Sequence, residues 1–193
     1  MCIRDRILSD FSDVGLDFWV SGYGTGGTVS GVGRVLREKS PGTKIILTEP
    51  ENAALIGSEL KQDRHSDNTP ATSHSSWNPH LIQGWTPDFI PFVLQEAIDN
   101  NYFDKLLPVS GEQGITWAKR LARAEGIITG ISGGSTFAIA MEVAKDAPPD
   151  SNILCMLPDT GERYLSSPLF EEIPEEMTDD EKKISLSTPN YQL

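Results

Sequence analysis

The stretch WVSGYGTGGTVSG, residues 19–31, decides how the rest of the chain is read. Upstream, the short β-type run LDFWVSG (16–22) leads into its glycines. Downstream, TVSGVGRVLREKS (28–40) reads as a helix, with Val29, Val32, Val35 and Leu36 on one face and Arg34, Arg37, Glu38 and Lys39 elsewhere. Pro41 and Gly42 stop that helix, and the apolar, β-branched TKIILTEP (43–50) reads as a buried strand. Strand, glycine-rich loop, helix and strand make a βαβ unit, which implies a parallel sheet. A loop of this kind, opening a helix at the C-terminal end of a strand, suits an anion. Its amides point outward, the helix dipole favours negative charge, and glycine lets the backbone close around phosphate oxygens.

Two phosphates compete for it. Gly22-x-Gly24-x-x-Gly27 satisfies the dinucleotide pattern, and Glu49 ends the second strand about 20 residues on, where an acid would bind a ribose hydroxyl. The same loop also reads as Gly24-Thr25-Gly26-Gly27-Thr28. Two threonine hydroxyls suit a terminal phosphate with three free oxygens better than a diester pyrophosphate. A structural turn without a ligand is a third reading.

Alternation continues outward. IQGWTPDFIPFVLQEAIDNN (82–101) reads as a turn and a helix, and DKLLPVSGEQGITWAKRLARAEG (104–126) as a strand and a helix. In the latter, Ser110-x-x-Gln113 is compatible with a capping box, Ala118, Leu121, Ala122 and Ala124 are the apolar positions, and Gly126 fits the C-cap. IITGISGGSTFAIAMEVAKDAPP (127–149) repeats strand, Gly/Ser loop and Ala-rich helix, and SNILCMLPDTGERYL (151–165) is the last strand with its exit turn. The class is α/β: a parallel twisted sheet with flanking helices.

Composition narrows the function. The 193 residues carry a net charge of −12, which argues against nucleic acid and anionic membranes as partners. Much of that charge is the run Glu171, Glu172, Glu175, Glu176, Asp179, Asp180 and Glu181, a solvated tail or exposed helix. Apolar residues make up 38%, enough for a core, and no run approaches the roughly 20 residues that span a bilayer. The opening MCIRDR has no apolar signal-type segment and reads as arbitrary. With only two cysteines, Cys2 and Cys155, a disulfide framework is absent and a reducing cytoplasm fits. Cys155 reads as a buried structural thiol. His65, His74 and His80 lie in the polar stretch 57–80 at no metal-ligand spacing, and read as solvated loop residues.

Four blocks together carry a resemblance: GYGTGGTVSGVGRVL, IQGWTPDFIP, EGIITGISGGST and LPDTGERYLSSPLF, in order and approximate spacing from about Leu16 to Phe170. They resemble cysteine synthase (O-acetylserine sulfhydrylase), a pyridoxal-phosphate enzyme of the tryptophan-synthase-β-like fold. The resemblance implies most of the large domain of a fold-type-II enzyme over residues 16–170, after an unmatched start with a truncated helix at 1–15 and before an acidic tail at 171–193. It implies that Gly24, Thr25, Gly26, Gly27 and Thr28 hold the cofactor 5′-phosphate, that Ser132 hydrogen-bonds the pyridine nitrogen, and that Gly84 lines the pocket. A serine leaves the pyridine largely unprotonated, a weaker electron sink that suits elimination at the β carbon. Asp159 and Thr160 are expected near the pyridine edge. Trp85 and Pro87 replace the glycine-rich turn of many relatives and are expected to reshape the cavity entrance.

The activity implied is that of a transferase making L-cysteine and acetate from O-acetyl-L-serine and sulfide through an aminoacrylate, in a cytoplasmic homodimer that can take up the C-terminal peptide of serine acetyltransferase. The family's Schiff-base lysine and the Asn-containing substrate loop are both missing, so the sequence implies an N-terminally truncated fragment with no catalytic residue of its own and no catalysis alone. Rival readings are a cystathionine β-synthase-like or serine/threonine dehydratase-like lyase, an NAD-binding dehydrogenase domain supported by Glu49, and a non-catalytic binding protein.

Overall fold

The computed structural model describes residues 2–187. In chain order the regular elements are α1 (Ile3–Asp10), β1 (Phe18–Gly22), α2 (Gly27–Lys39), β2 (Lys44–Pro50), α3 (Phe92–Asp99), β3 (Lys105–Val109), α4 (Gly111–Glu125), α5 (Ile131–Asp146), β4 (Ile153–Cys155) and α6 (Asp179–Ser187). The strands form one parallel sheet in the order β3-β2-β1-β4. Successive strands step from β1 to β2 to β3 in one direction, and the chain then returns to place β4 on the other side of β1. The crevice at the C-terminal ends of β1 and β4 is therefore the switch point, where ligands of open α/β sheets bind.

Residue alternation builds the layers, because neighbours in a strand point to opposite faces. Trp19 and Ile45 pack with Val32 and Leu36 of α2, while Leu47 joins Val29 and Leu94 beside them. Val20 and Ile46 face the other way, into a cluster with Ile131 and Ile139 of α5 and Val109. Both faces of the central strands are dry, as expected of a parallel sheet covered by helices. On α2, Val29, Val32 and Leu36 of the expected face are buried and Val35 is half-buried.

The helix α4 begins and ends as its residues dictate. The Ser110 hydroxyl accepts from the Gln113 amide at 3.1 Å, the Gln113 side chain accepts from the Ser110 amide at 2.9 Å, and Gly126 closes the helix at φ 70°. Its Ala118 and Leu121 are buried, while Ala124 is exposed.

The structure corrects the reading of residues 127–136. No strand forms at 127–130, where only an isolated bridge joins Thr129 to Thr160, and Ile131 through Thr136 are already the first turns of α5 rather than a loop. Packing is the reason. A Cβ on Gly134 would lie 2.0 Å from the Gly114 carbonyl, and one on Gly133 would lie 1.9 Å from the Thr129 hydroxyl. The small residues let α5 cross α4 backbone to backbone, and the gain in packing outweighs their poor helix propensity.

The acidic run is exposed, with α6 burying nothing. The tail residues 188–193 lie outside the described residues. Among the described residues no helix is long and apolar enough to cross a membrane.

Candidate cofactor site

A cleft of about 330 Å³ opens at the switch point. Gly24, Thr25, Gly26, Gly27, Thr28, Gly84 and Ser132 all line it, joined there by Asp159 and Trp85. Residues separated by over a hundred positions in the chain thus share one wall-to-wall space. Thr160 instead bridges to Thr129, and Pro87 does not line the cleft.

Two helix N-termini meet this space. The first turn of an α-helix leaves its N–H groups without backbone partners, and a side chain at the N-cap normally satisfies one of them. The N-cap of α2 is Gly26, in the left-handed region at φ 87°, and that of α5 is Gly130; neither offers a side-chain cap. By contrast, α4 is fully capped by Ser110 and Gln113. The amides of Gly27, Thr28 and Val29 therefore face the cleft with their hydrogen-bonding capacity open, beside the exposed side chains of Thr25 and Thr28. Tight packing holds the loop. A Cβ on Gly24 would lie 2.5 Å from the Gly84 carbonyl, and one on Gly22 would lie 2.0 Å from the Trp85 ring. Trp85 is itself 9% exposed and forms a wall of the cleft.

Asp159 of the lining is one half of a carboxylate–phenol pair. The Tyr164 hydroxyl donates to Oδ2 of Asp159 at 2.7 Å, while Oδ1 is buried without a partner. Burial first, and then the hydrogen bond and charge of Asp159, push Tyr164 up to about 12; Ser132 and Arg163 act in the opposite direction. Gly130 leaves room for both groups, since its Cβ would lie 2.3 Å from the Tyr164 ring and 2.6 Å from Asp159.

Glu49 does not wait for a ribose. It is 1% exposed and already saturated: it accepts the Tyr23 hydroxyl at 2.5 Å and the amides of Ile56 at 3.1 Å and Gly57 at 2.8 Å. That occupancy removes the observation that favoured a dinucleotide. Tyr23, hidden between two glycines of the loop, is the site residue that the sequence reading passed over; a lone large side chain inside a Gly-x-Gly loop was the available signal.

Of the loop histidines His65 is exposed as expected, but the other two are not. His74 is buried, accepting the Ser76 amide on Nδ1 and bonding the Leu60 carbonyl through Nε2, and half-buried His80 contacts the Thr86 carbonyl. Folding the polar stretch back on itself is what buries them. Among the described residues no group of three or more metal-binding side chains forms. Cys155 is half-buried, and burial pushes its thiol up to about 11, which fits an inert structural role. Lys44 and Lys105 open β2 and β3 at the end of the sheet away from the cleft, and no lysine lines it among the described residues.

A parallel sheet with this switch-point cleft and its two open helix N-termini defines the large-domain architecture of fold-type-II pyridoxal-phosphate enzymes. The model of the family described as "Pyridoxal-phosphate dependent enzyme" matches residues 6–159, and the chain belongs to that family. The match reaches ten residues further upstream than Leu16. The chain is 40% identical over 183 residues to the O-ureido-L-serine synthase of Streptomyces lavendulae, covering 95% of this chain and 50% of that protein. It is 34% identical over 165 residues to a cysteine synthase of Staphylococcus aureus, covering 86% and 47%. A crystal structure of O-ureido-L-serine synthase superposes with a TM-score of 0.77 at 39% identity over 94% of this chain and 51% of that one. The cysteine synthase of Entamoeba histolytica gives 0.71 at 31% identity over 91% and 46%. The chain spans about half the length of the curated relatives it matches.

The residues present fit the family's cofactor. Pyridoxal phosphate combines a phosphate dianion with a flat pyridine, and the cleft pairs open first-turn amides and threonine hydroxyls with the hydroxyl-bearing Ser132. The Cβ-free approach of Gly24 to Gly84 keeps the loop close enough to wrap an anion.

Proposed function

We propose that this chain forms the cofactor-anchoring part of a β-replacement enzyme acting on an O-activated L-serine, of which O-acetyl-L-serine with sulfide, giving L-cysteine and acetate, is the leading pair. The observation that carries the reading is the convergence of the Gly24–Thr28 loop, Gly84 and Ser132 on one cleft beneath two uncapped helix N-termini. Pyridoxal phosphate, when bound, supplies the electron sink for bond cleavage at the β carbon of an amino acid. The chain's own residues do the rest. The amides of Gly27, Thr28 and Val29, with the hydroxyls of Thr25 and Thr28, would hold the phosphate, and Ser132 would offer the pyridine nitrogen a neutral hydroxyl, which would not enforce its protonation as a carboxylate would. The indole of Trp85 excludes water from one side. Asp159 orients Tyr164 next to Ser132, and the raised Tyr164 keeps its proton throughout the physiological range.

A second reading shares the electrophile and changes the nucleophile. The 40% identity to O-ureido-L-serine synthase favours an oxygen nucleophile bearing a urea group, which would have to fit beside the Trp85 wall of the cleft. Among the described residues no lysine lines the cleft, so in either reading this chain alone would bind the cofactor without turning it over. A homodimer and a cytoplasmic location fit both readings. The test is an assay of a full-length enzyme of which this chain is part, with O-acetyl-L-serine and either sulfide or hydroxyurea. Cysteine formation supports the first reading, O-ureido-L-serine the second, and no β-replacement product with either nucleophile overturns the proposal.

A further inference from the structure

We propose that Tyr23 and Glu49 form a positioning pair that sets the geometry of the phosphate cradle, an inference that rests on the reading of the cleft above. The buried Tyr23 sits in the loop between Gly22 and Gly24 and lines the cleft. It ties that loop to two other segments. Its hydroxyl donates to Glu49, which also receives the Ile56 and Gly57 amides of the following loop. Its carbonyl accepts from the Thr86 amide at 2.9 Å. Thr86 closes the turn that carries Gly84, whose carbonyl packs on Gly24, and Trp85, whose ring packs on Gly22. Gly57 keeps room for the arrangement, since a Cβ there would lie 2.7 Å from the Glu49 carboxylate.

All three groups around Glu49 are donors, so they select its acceptor-only, ionised form, while burial pushes the carboxyl above its usual range. An unpaired carboxylate in that place is costly, which makes the phenol hydroxyl the partner that permits the arrangement. Removing the hydroxyl loosens the link between the loop and the end of β2, and the first-turn amides of α2 lose their common aim.

The test uses the full 193-residue chain, with two probes that need no lysine: 4′-deoxypyridoxine 5′-phosphate, followed by calorimetry, and inorganic phosphate, followed by ³¹P NMR. Titrations are run well below the melting transition, so that a loss of stability alone leaves the affinity of the folded protein unchanged. Tyr23→Phe is expected to weaken both probes about tenfold, equivalent to about 1.4 kcal/mol. Unchanged affinity in folded Y23F overturns the positioning role while leaving the cleft assignment standing. Failure of the unsubstituted chain to bind either probe overturns both. If Y23F does not fold, Glu49→Gln is titrated instead: a comparable loss supports the pair, and wild-type affinity refutes it.

Discussion

Replacing Gly26 with alanine tests the loop where conformation and packing demand the same residue. Gly26 has φ 87° and ψ −3°, and a Cβ built on it would lie 2.7 Å from N, Cα and Cβ of Leu94. The obstacle is mainly backbone of α3, which cannot swing aside as a side-chain end would. The left-handed conformation costs alanine about 1–2 kcal/mol. Overpacking adds about 1–3 kcal/mol. The sum is about 2–5 kcal/mol, and at roughly 2–4 °C per kcal/mol for a chain of this size the melting temperature should fall by roughly 10 °C. Gly31→Ala is the control: it lies inside the helix that Gly26 caps, with nothing within 4 Å of an added Cβ, so it should stabilise by about 0.5–1 kcal/mol. Thermal unfolding followed by circular dichroism compares the two variants with the parent. A melting temperature for G26A within about 2 °C of the parent, under the same scale, would refute the reasoning, as would equal behaviour of the two alanines.

Three further outcomes are expected. Ser132→Ala should weaken 4′-deoxypyridoxine 5′-phosphate by roughly fivefold, the loss of one neutral hydrogen bond of about 1 kcal/mol, while inorganic phosphate binds as before; an equal loss on both probes would remove Ser132 from the ring. Ser110→Ala removes the cap of α4 and should destabilise by about 1 kcal/mol without changing either affinity, read from melting curves and titration. In alkaline solution Tyr23 and Tyr164 should ionise above the ordinary tyrosine value of about 10 in an ultraviolet titration, since burial raises both and Tyr164 lies at about 12. A raised folded-state value means that the stability from Tyr164 is complete below the unfolded value of about 10 and is lost as the pH rises through 12. Tyr164→Phe should therefore flatten the decline of unfolding free energy between those limits, and simultaneous ionisation of all tyrosines near their ordinary value would contradict the buried hydrogen bonds.

Local chemistry was enough to read much of this molecule from its residues. The apolar periodicities of α2 and β2, the glycines between them and the Ser110–Gln113 box act through neighbours a few positions apart, so the βαβ unit and the capped α4 were legible without a fold. The family, too, was legible, because four motif blocks in register leave few alternatives. What the tertiary structure decided depends on groups distant in sequence. The GISGGST segment reads locally as a loop, yet forms the start of α5 because Gly134 meets Gly114 across a helix crossing. Glu49 stands at the spacing of a ribose ligand, but the fold brings Tyr23, Ile56 and Gly57 onto its carboxylate first. His74 looked solvated until its loop closed over it. The convergence of Gly24, Gly84 and Ser132 on one cleft likewise follows from strand order, not from any window of sequence. Short-range propensity can specify an element, but what that element's side chains touch is settled only when non-local packing and the desolvation of polar groups choose one arrangement over the rest.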